Sequence, residues 1–151
     1  MQLASLTRPE LIFPQLPPSD RASLLRTLAE RVAEHGLVDD ADKLYDKLWE
    51  REQLGSTGIG SGVAIPHCKM NGLDRVVLAV GLPVKAIDFG AVDALPVRLF
   101  FLVISPSDSP AAHLQCLAAI SKWVKAEHHV REMLELDDPQ AIYQLLQEED
   151  T

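Results

Sequence analysis

The stretch from Val97 to Ile104 constrains the fold more than any other part of the chain, because every position except Arg98 is apolar. A strand that is apolar on both faces has to be covered on both faces, which is usual for a central strand. Shorter strand-like runs lie at Val63–Ile65 and Val76–Leu82, and segments with helical periodicity precede and follow the strands. We therefore predict an α/β domain of three layers, with helices on both sides of a β-sheet. These patterns leave the strand order open.

Four helices are expected where apolar residues recur every three or four positions. They should run from Ser19 or Asp20 to His35, from Asp39 or Asp40 to about Arg51–Gln53, from Ser107–Pro110 onward, and from Asp138-Pro139 onward. Residues 1–18 are predicted to be an irregular lead-in, since their prolines oppose a regular helix. Residues 19–147 would then form the domain, and residues 148–151 a frayed acidic tail.

The net charge of −8 argues against non-specific binding to nucleic acid, which needs clustered cations. Residues 51–98 carry 4 acidic and 5 basic side chains, so this part of the chain has no net negative charge. It is therefore the better place for an anionic group. Neither a signal peptide nor an apolar run of about 20 residues is present. We therefore expect a cytoplasmic protein without direct membrane insertion.

His67 follows the most unusual segment of the chain, the glycine-rich residues 55–62 and a short apolar run. Glycines permit tight turns and close approach of the backbone, and a histidine just beyond a strand end is well placed to react. His113 should lie in the first turn of the third helix, where free backbone N–H groups favour an anion. If the fold brings both rings together, one imidazole could carry an anionic group that the other helps to hold. Arg51 could add a planar cation for phosphate oxygens.

Other interpretations of the same residues stay open at this point. Both histidines could be hydrogen-bonded structural residues, and Arg51 a solvated cation at a helix end. Zinc is a rival, since His113 and Cys116 share a helix face and Cys68 adjoins His67, but neither C-x-x-C nor H-E-x-x-H occurs. A serine or cysteine hydrolase would fit the composition, yet the G-x-S-x-G elbow is missing, as is the G-K-[ST] of a phosphate-binding loop.

Several stretches together closely resemble one known family. They are R-E-Q-L-G-S-T-G-I-G-S-G-V-A-I-P-H from Arg51 to His67, A-I-D-F-G-A-V-D at 86–93, P-V-R-L-F-F-L-V-I-S-P at 96–106, and His113-Leu114 at the start of the next helix. The chain resembles the fructose/mannitol/nitrogen-regulatory IIA family of the bacterial phosphoenolpyruvate-dependent phosphotransferase system. The resemblance extends from about Leu3 to about Leu146 and is sharpest over 50–117.

The resemblance implies a mixed sheet flanked by helices, and a phosphoryl group that His67 accepts from a histidine-phosphorylated HPr-like carrier protein. It also implies that His113 lies beside His67 and that Arg51 lies near the phosphate, without a metal or an organic cofactor. A neutral imidazole is a competent nucleophile, and phosphoryl transfer mainly needs alignment and charge stabilisation. Two positions depart from the family pattern: Cys68 stands where glycine is usual, and Ser61 where asparagine is common. Cys68 could be a small packed residue or a redox-sensitive neighbour of the site.

The branch of the family is inferred from two features. The chain contains neither a IIB-like nor a membrane IIC-like part, and residues 86–93 look closer to the nitrogen-regulatory branch, which commonly stands alone. We therefore predict a regulatory phosphoprotein whose target proteins sense the phosphorylation of His67. A sugar-specific IIA that passes phosphate to a separate IIB cysteine is the main alternative. An interaction module that has lost phosphoryl transfer is the other.

Overall fold

The fold of residues 2–148, described by a computed structural model, is a β-sheet with helices on both sides. Its strands are β1 (Ile12–Leu16), β2 (Gly58–Gly60), β3 (Val63–Ala64), β4 (His67–Met70), β5 (Val77–Pro83) and β6 (Leu99–Pro106). Its helices are α1 (Arg21–Glu34), α2 (Ala41–Gln53), α3 (Pro110–Lys125), α4 (Glu127–Leu134) and α5 (Pro139–Glu148). Two 3₁₀ turns, Leu3–Leu6 and Pro9–Leu11, precede β1.

The sheet is mixed, as the family resemblance implied. Its strand order is β1-β5-β6-β3-β2, and β4 also pairs with β6. β5 and β6 are antiparallel, whereas β3 and β4 both run parallel to β6, one after the other along the same side of it. Every residue of β6 is buried, which confirms the prediction of a central strand covered on both faces.

The two faces of β6 belong to two different cores. Phe100, Leu102 and Ile104 pack in a core with the buried residues of α1 and α2, while Phe101 and Val103 pack in a second core with residues of α3 and α5. Full burial of such a side chain stabilises the fold by about 1.5–3 kcal/mol. The predicted three-layer arrangement is therefore confirmed.

The predicted helix starts are also confirmed for α1 and α2, and each has a side-chain cap. An oxygen of Asp20 accepts a hydrogen bond from the backbone N–H of Ser23 at 2.8 Å. Asp40 likewise accepts from the N–H groups of Asp42 and Lys43. Such caps stabilise a helix by about 1 kcal/mol because they satisfy N–H groups that have no partner in the first turn.

The prediction of an irregular lead-in is wrong for residues 12–16, because they form β1. Pro14 is tolerated because β1 lies at the edge of the sheet, where β5 is its single partner among residues 2–148. The register of this pair shifts between Phe13 and Leu16, around Gln15, whose φ is +56°. A helix, α4, also forms in the polar stretch around residues 127–134, where none was predicted. Of the predicted tail, Glu148 ends α5, and residues 149–151 lie outside the described part of the chain. Within residues 2–148 no helix has the length and apolarity to cross a bilayer.

Candidate functional site

His67 lies at a break between two short strands. β3 and β4 continue one another along β6, with Val63 opposite Leu99 and His67 opposite Val103. Pro66 lies between them and has no N–H to donate, but its carbonyl accepts from the N–H of Val103 at 2.9 Å. His67 thus follows the end of β3, as predicted, and is also the first residue of β4, a strand that was not predicted.

The alternation of side chains along β4 decides which layer His67 faces. Cys68 and Met70 pack into the core beneath α1 and α2. His67 therefore lies on the opposite face, towards α3, since successive side chains of a strand point to opposite sides. This orientation brings His67 against the first turn of α3.

The rings of His67 and His113 are neighbours. Their centroids are 5.4 Å apart and their planes are inclined by 56°. His113 is only 6% exposed, and its Nδ1 lies 2.5 Å from the hydroxyl oxygen of the fully buried Ser105, near the end of β6. The fold thus brings together the two histidines that the sequence analysis selected, with His67 the more accessible of the two.

A backbone carbonyl fixes the tautomer of His67. Its Nδ1 lies 2.7 Å from the carbonyl oxygen of Ile65. A carbonyl oxygen can only accept, so Nδ1 must carry the hydrogen of this bond. In the neutral ring the lone pair is then on Nε2, the nitrogen available for nucleophilic attack.

Both imidazoles are held in the neutral form. Burial lowers the pKa of His67 below its usual 6.5, and the charge of Arg51 acts in the same direction, against the hydrogen bond to Ile65. Burial lowers the pKa of His113 to about 4; the charge that His67 gains when it is protonated at acid pH and the charge of Lys69 act in the same direction. At neutral pH the pair is therefore uncharged, which suits a nucleophile and a hydrogen-bond donor beside it.

Arg51, the third residue selected from the sequence, lies in the last turn of α2. Its Nη1 donates to the carbonyl of Gly55 at 2.8 Å, which holds the guanidinium at the start of the glycine-rich segment. Its charge lowers the pKa of His67, so the two groups are close enough to interact electrostatically. Within residues 2–148, however, no hydrogen bond joins the guanidinium to either histidine.

Ser105, whose hydroxyl lies at hydrogen-bond distance from the ring of His113, was not among the predicted site residues. A signal for it exists, because Ser105 is the one hydroxyl residue of the otherwise apolar β6. A buried polar side chain in such a strand needs a hydrogen-bond partner, and here the partner is an imidazole of the site.

Cys68, by contrast, is a packed core residue and does not face the site. It lies on the other side of the sheet from His67, and burial raises the pKa of its thiol to about 12. Between residues 2 and 148, no three histidine, cysteine, aspartate or glutamate side chains cluster as they would around a metal ion. The position of Cys68 in the core on the far face of the sheet disfavours the redox interpretation of its thiol.

A known family matches almost the whole chain: the phosphoenolpyruvate-dependent sugar phosphotransferase system EIIA 2 family, over residues 5–149. The chain belongs to this family. EIIA components carry phosphoryl groups on histidine within the phosphotransferase system. The histidine pair therefore lies in a protein of the phosphocarrier class.

Individual relatives divide between two branches of the EIIA family. The chain is 34% identical to the nitrogen regulatory protein of Bradyrhizobium diazoefficiens, and 32% identical to the fructose-specific EIIA component of Haloferax volcanii. Each alignment covers 97% of this chain and 95% of the relative. The fold matches the crystal structure of the nitrogen regulatory protein IIA-Ntr from Neisseria meningitidis with a TM-score of 0.87, at 23% identity over 97% of this chain and 99% of that one.

Proposed function

We propose that this EIIA phosphocarrier takes its phosphoryl group on Nε2 of His67 from a histidine-phosphorylated HPr-like protein. The observation that supports this atom most directly is the bond from Nδ1 to the Ile65 carbonyl, which leaves Nε2 as the free nucleophile. In the transfer, the Nε2 lone pair forms the new N–P bond while the P–N bond to the donor histidine breaks and its electron pair returns to that ring. Nδ1 keeps its hydrogen, and the Ile65 carbonyl stabilises the positive charge that the ring gains.

The neighbouring groups would stabilise the transferred phosphoryl group. If the Ser105 hydroxyl donates to Nδ1 of His113, the hydrogen of that ring is on Nε2, from where it can be donated to a phosphoryl oxygen. Arg51 would supply positive charge from the side of α2. Hydrogen bonds and charges fixed in advance towards developing negative charge are a large source of catalysis, and removing one such donor costs about 10²–10³-fold in rate.

The partner would dock on exposed apolar side chains next to these residues. Leu114 is 66% exposed and follows His113, and Leu54 is 84% exposed, three positions after Arg51. Val92 and Leu95 are likewise exposed, in the loop whose Ala91 contacts the glycine-rich segment. Exposed apolar residues on the helices that carry site residues and beside the glycine-rich segment are typical of a protein–protein interface.

Within the family we propose the regulatory branch, in which target proteins sense whether His67 is phosphorylated. Support comes from the 34% identity to a nitrogen regulatory protein and from residues 86–93. Phosphorylation would add about 1.5–2 negative charges beside the apolar docking residues, which can prevent one interaction and permit another. A fructose-type carrier that passes phosphate to a separate IIB cysteine is the second candidate, favoured by the 32% identity to a fructose-specific EIIA component.

Phosphorylation by the host's own carrier tests the proposal. Phosphoenolpyruvate, enzyme I and the cognate HPr-like protein should give an acid-labile label that maps to His67. His67→Ala should remain folded and unlabelled, while His35→Ala, which changes an exposed histidine of the α1 C-terminus, should be labelled like the wild type. Absence of label in the wild type would favour the interaction module, and rapid transfer of the label to a IIB domain would favour the sugar-specific candidate.

A further inference from the structure

Glu52 is a buried carboxylate that is neither a predicted site residue nor part of the proposed transfer step. It lies in the last turn of α2, continues the inner stripe of Leu44 and Leu48, and is only 4% exposed. None of the ion pairs formed among residues 2–148 includes it. Burial raises its pKa, against the effect of its hydrogen bonds to Thr57 and of the charges of Arg21 and Arg51. A buried carboxylate without an ion pair is costly, so its position calls for a reason.

The carboxylate of Glu52 anchors the glycine-rich segment to α2. Both of its oxygens accept from the backbone N–H of Thr57 at 3.3 Å, and one also accepts from the Thr57 hydroxyl. Thr57 is itself buried. One carboxylate thus binds both the backbone N–H and the hydroxyl of Thr57. This double attachment restrains the backbone and the side chain of Thr57 together.

Two further hydrogen bonds connect Thr57 to the reactive ring. The carbonyl of Thr57 accepts from the N–H of Ile65 at 2.9 Å. The carbonyl of Ile65 in turn accepts from Nδ1 of His67 at 2.7 Å. A continuous series of hydrogen bonds therefore runs from Glu52 through Thr57 and Ile65 to Nδ1 of His67, the nitrogen that determines the tautomer of the ring.

The segment has a second attachment that does not involve Glu52. The hydroxyl of Ser56 donates to the carbonyl of Phe89 at 2.7 Å and accepts from the N–H of Gly58 at 3.0 Å. Loss of the Glu52 carboxylate should therefore loosen the position of Thr57 without detaching the whole segment. This makes a variant at Glu52 informative about function and not only about folding.

We propose that Glu52 is a positioning residue for His67: it holds Thr57 so that the Ile65 carbonyl keeps the hydrogen on Nδ1 and presents Nε2 to the phosphoryl donor. This inference rests on the proposed function. It does not require Glu52 to touch the phosphoryl group or the partner. Its expected effects are therefore on the tautomer of the ring and on the rate of transfer, and not on the affinity for the carrier.

The test combines kinetics with a direct observation of the ring. Glu52→Ala should lower the kcat of transfer from the phosphorylated HPr-like protein by about 10²-fold, the loss expected for a misplacement of about 1 Å, with an unchanged KM. ¹⁵N NMR of the unphosphorylated protein should show the Nδ1–H form of His67 giving way to a mixture of tautomers. Glu52→Gln, which keeps one acceptor oxygen for Thr57, should recover most of the kcat and of the Nδ1–H form. Glu50→Ala, an exposed glutamate of the same helix, is the matched control.

A second variant covers the case in which Glu52→Ala does not fold. Thr57→Val replaces the hydroxyl with a methyl group and so removes the side-chain donor to Glu52; it should shift the ring and the rate in the same direction, while Thr57→Ser should behave like the wild type. The inference is overturned if the folded Glu52 and Thr57 variants keep both the wild-type tautomer and the wild-type kcat. If the wild type accepts no phosphate, the proposed function fails, and the NMR comparison still decides whether Glu52 controls the ring.

Discussion

The pKa of His113 predicts a pH-dependent loss of stability that one substitution should remove. In the folded protein this pKa is about 4, whereas a histidine in the unfolded chain has its usual pKa of 6.5. Between these values the unfolded chain binds a proton that the folded protein does not. Protonation then favours unfolding. The stability that the protein has with His113 neutral is therefore fully present well above pH 6.5 and is lost as the pH falls towards 4.

The size of the effect follows from the same two values. Lowering the pH from about 7.5 to about 5 should reduce the free energy of unfolding by about 2 kcal/mol through His113 alone. His67, whose pKa is also lowered, contributes in the same direction, whereas the raised pKa of Glu52 acts in the opposite one. A comparison with a variant that lacks only His113 is therefore needed to isolate its part.

His113→Gln is that variant, because an amide oxygen can accept from the Ser105 hydroxyl but does not titrate. Urea unfolding followed by circular dichroism at both pH values gives the free energy of unfolding of each protein. On acidification the free energy of unfolding of the wild type should fall by about 2 kcal/mol more than that of His113→Gln. Equal losses in the two proteins would refute the inference that the ring is buried in its neutral form.

Three further predictions concern the site, its docking residues and the core. Arg51→Ala should slow transfer from the phosphorylated HPr-like protein about tenfold or more, since a fixed charge next to the phosphoryl group is lost; an unchanged kcat would remove Arg51 from the site. Leu114→Ser should raise the KM for that carrier at an unchanged kcat, because Leu114 is an exposed apolar residue and not a reacting group; a lowered kcat at constant KM would argue against a docking role. Phe101→Ala should lower the free energy of unfolding by about 3–5 kcal/mol, because the fully buried ring packs edge-on against Trp123 at a centroid distance of 5.6 Å; a cost below about 1 kcal/mol in urea unfolding would contradict this packing.

The elements that could be predicted from the sequence are those whose own pattern is long. β6 is apolar throughout, and α1 and α2 have both an apolar stripe and an aspartate cap. Short strands lack such a pattern. β2 contains two glycines in three residues, and β4 reads H-C-K-M, whose alternation of polar and apolar residues is only four positions long and includes no β-branched residue. Both strands exist because β6 and β3 offer them hydrogen-bond partners, which is a tertiary effect.

The site could be predicted in part for a similar reason. His67 is marked by the glycine-rich segment before it, and His113 by its place at the start of a helix. Their contact, however, depends on the pairing of His67 with Val103 and on the packing of α3 against β6, neither of which is encoded near either histidine. Only the family resemblance supplied that contact before the structure did. Glu52 and Ser105 went unselected because their meaning depends on the same tertiary arrangement.

The break between β3 and β4 explains why the site needs both layers of helices. At Pro66 the ladder is interrupted, and the carbonyl of Ile65, just before it, binds Nδ1 of His67. The position of that carbonyl is linked through Thr57 to α2, in the layer on one face of the sheet. The ring itself meets His113 of α3, in the layer on the other face. The layer that contains α2 thus positions Nδ1 of His67, while the layer that contains α3 sets the surroundings of the ring. A substitution in either layer should therefore alter phosphoryl transfer even where the substituted residue does not contact the phosphoryl donor.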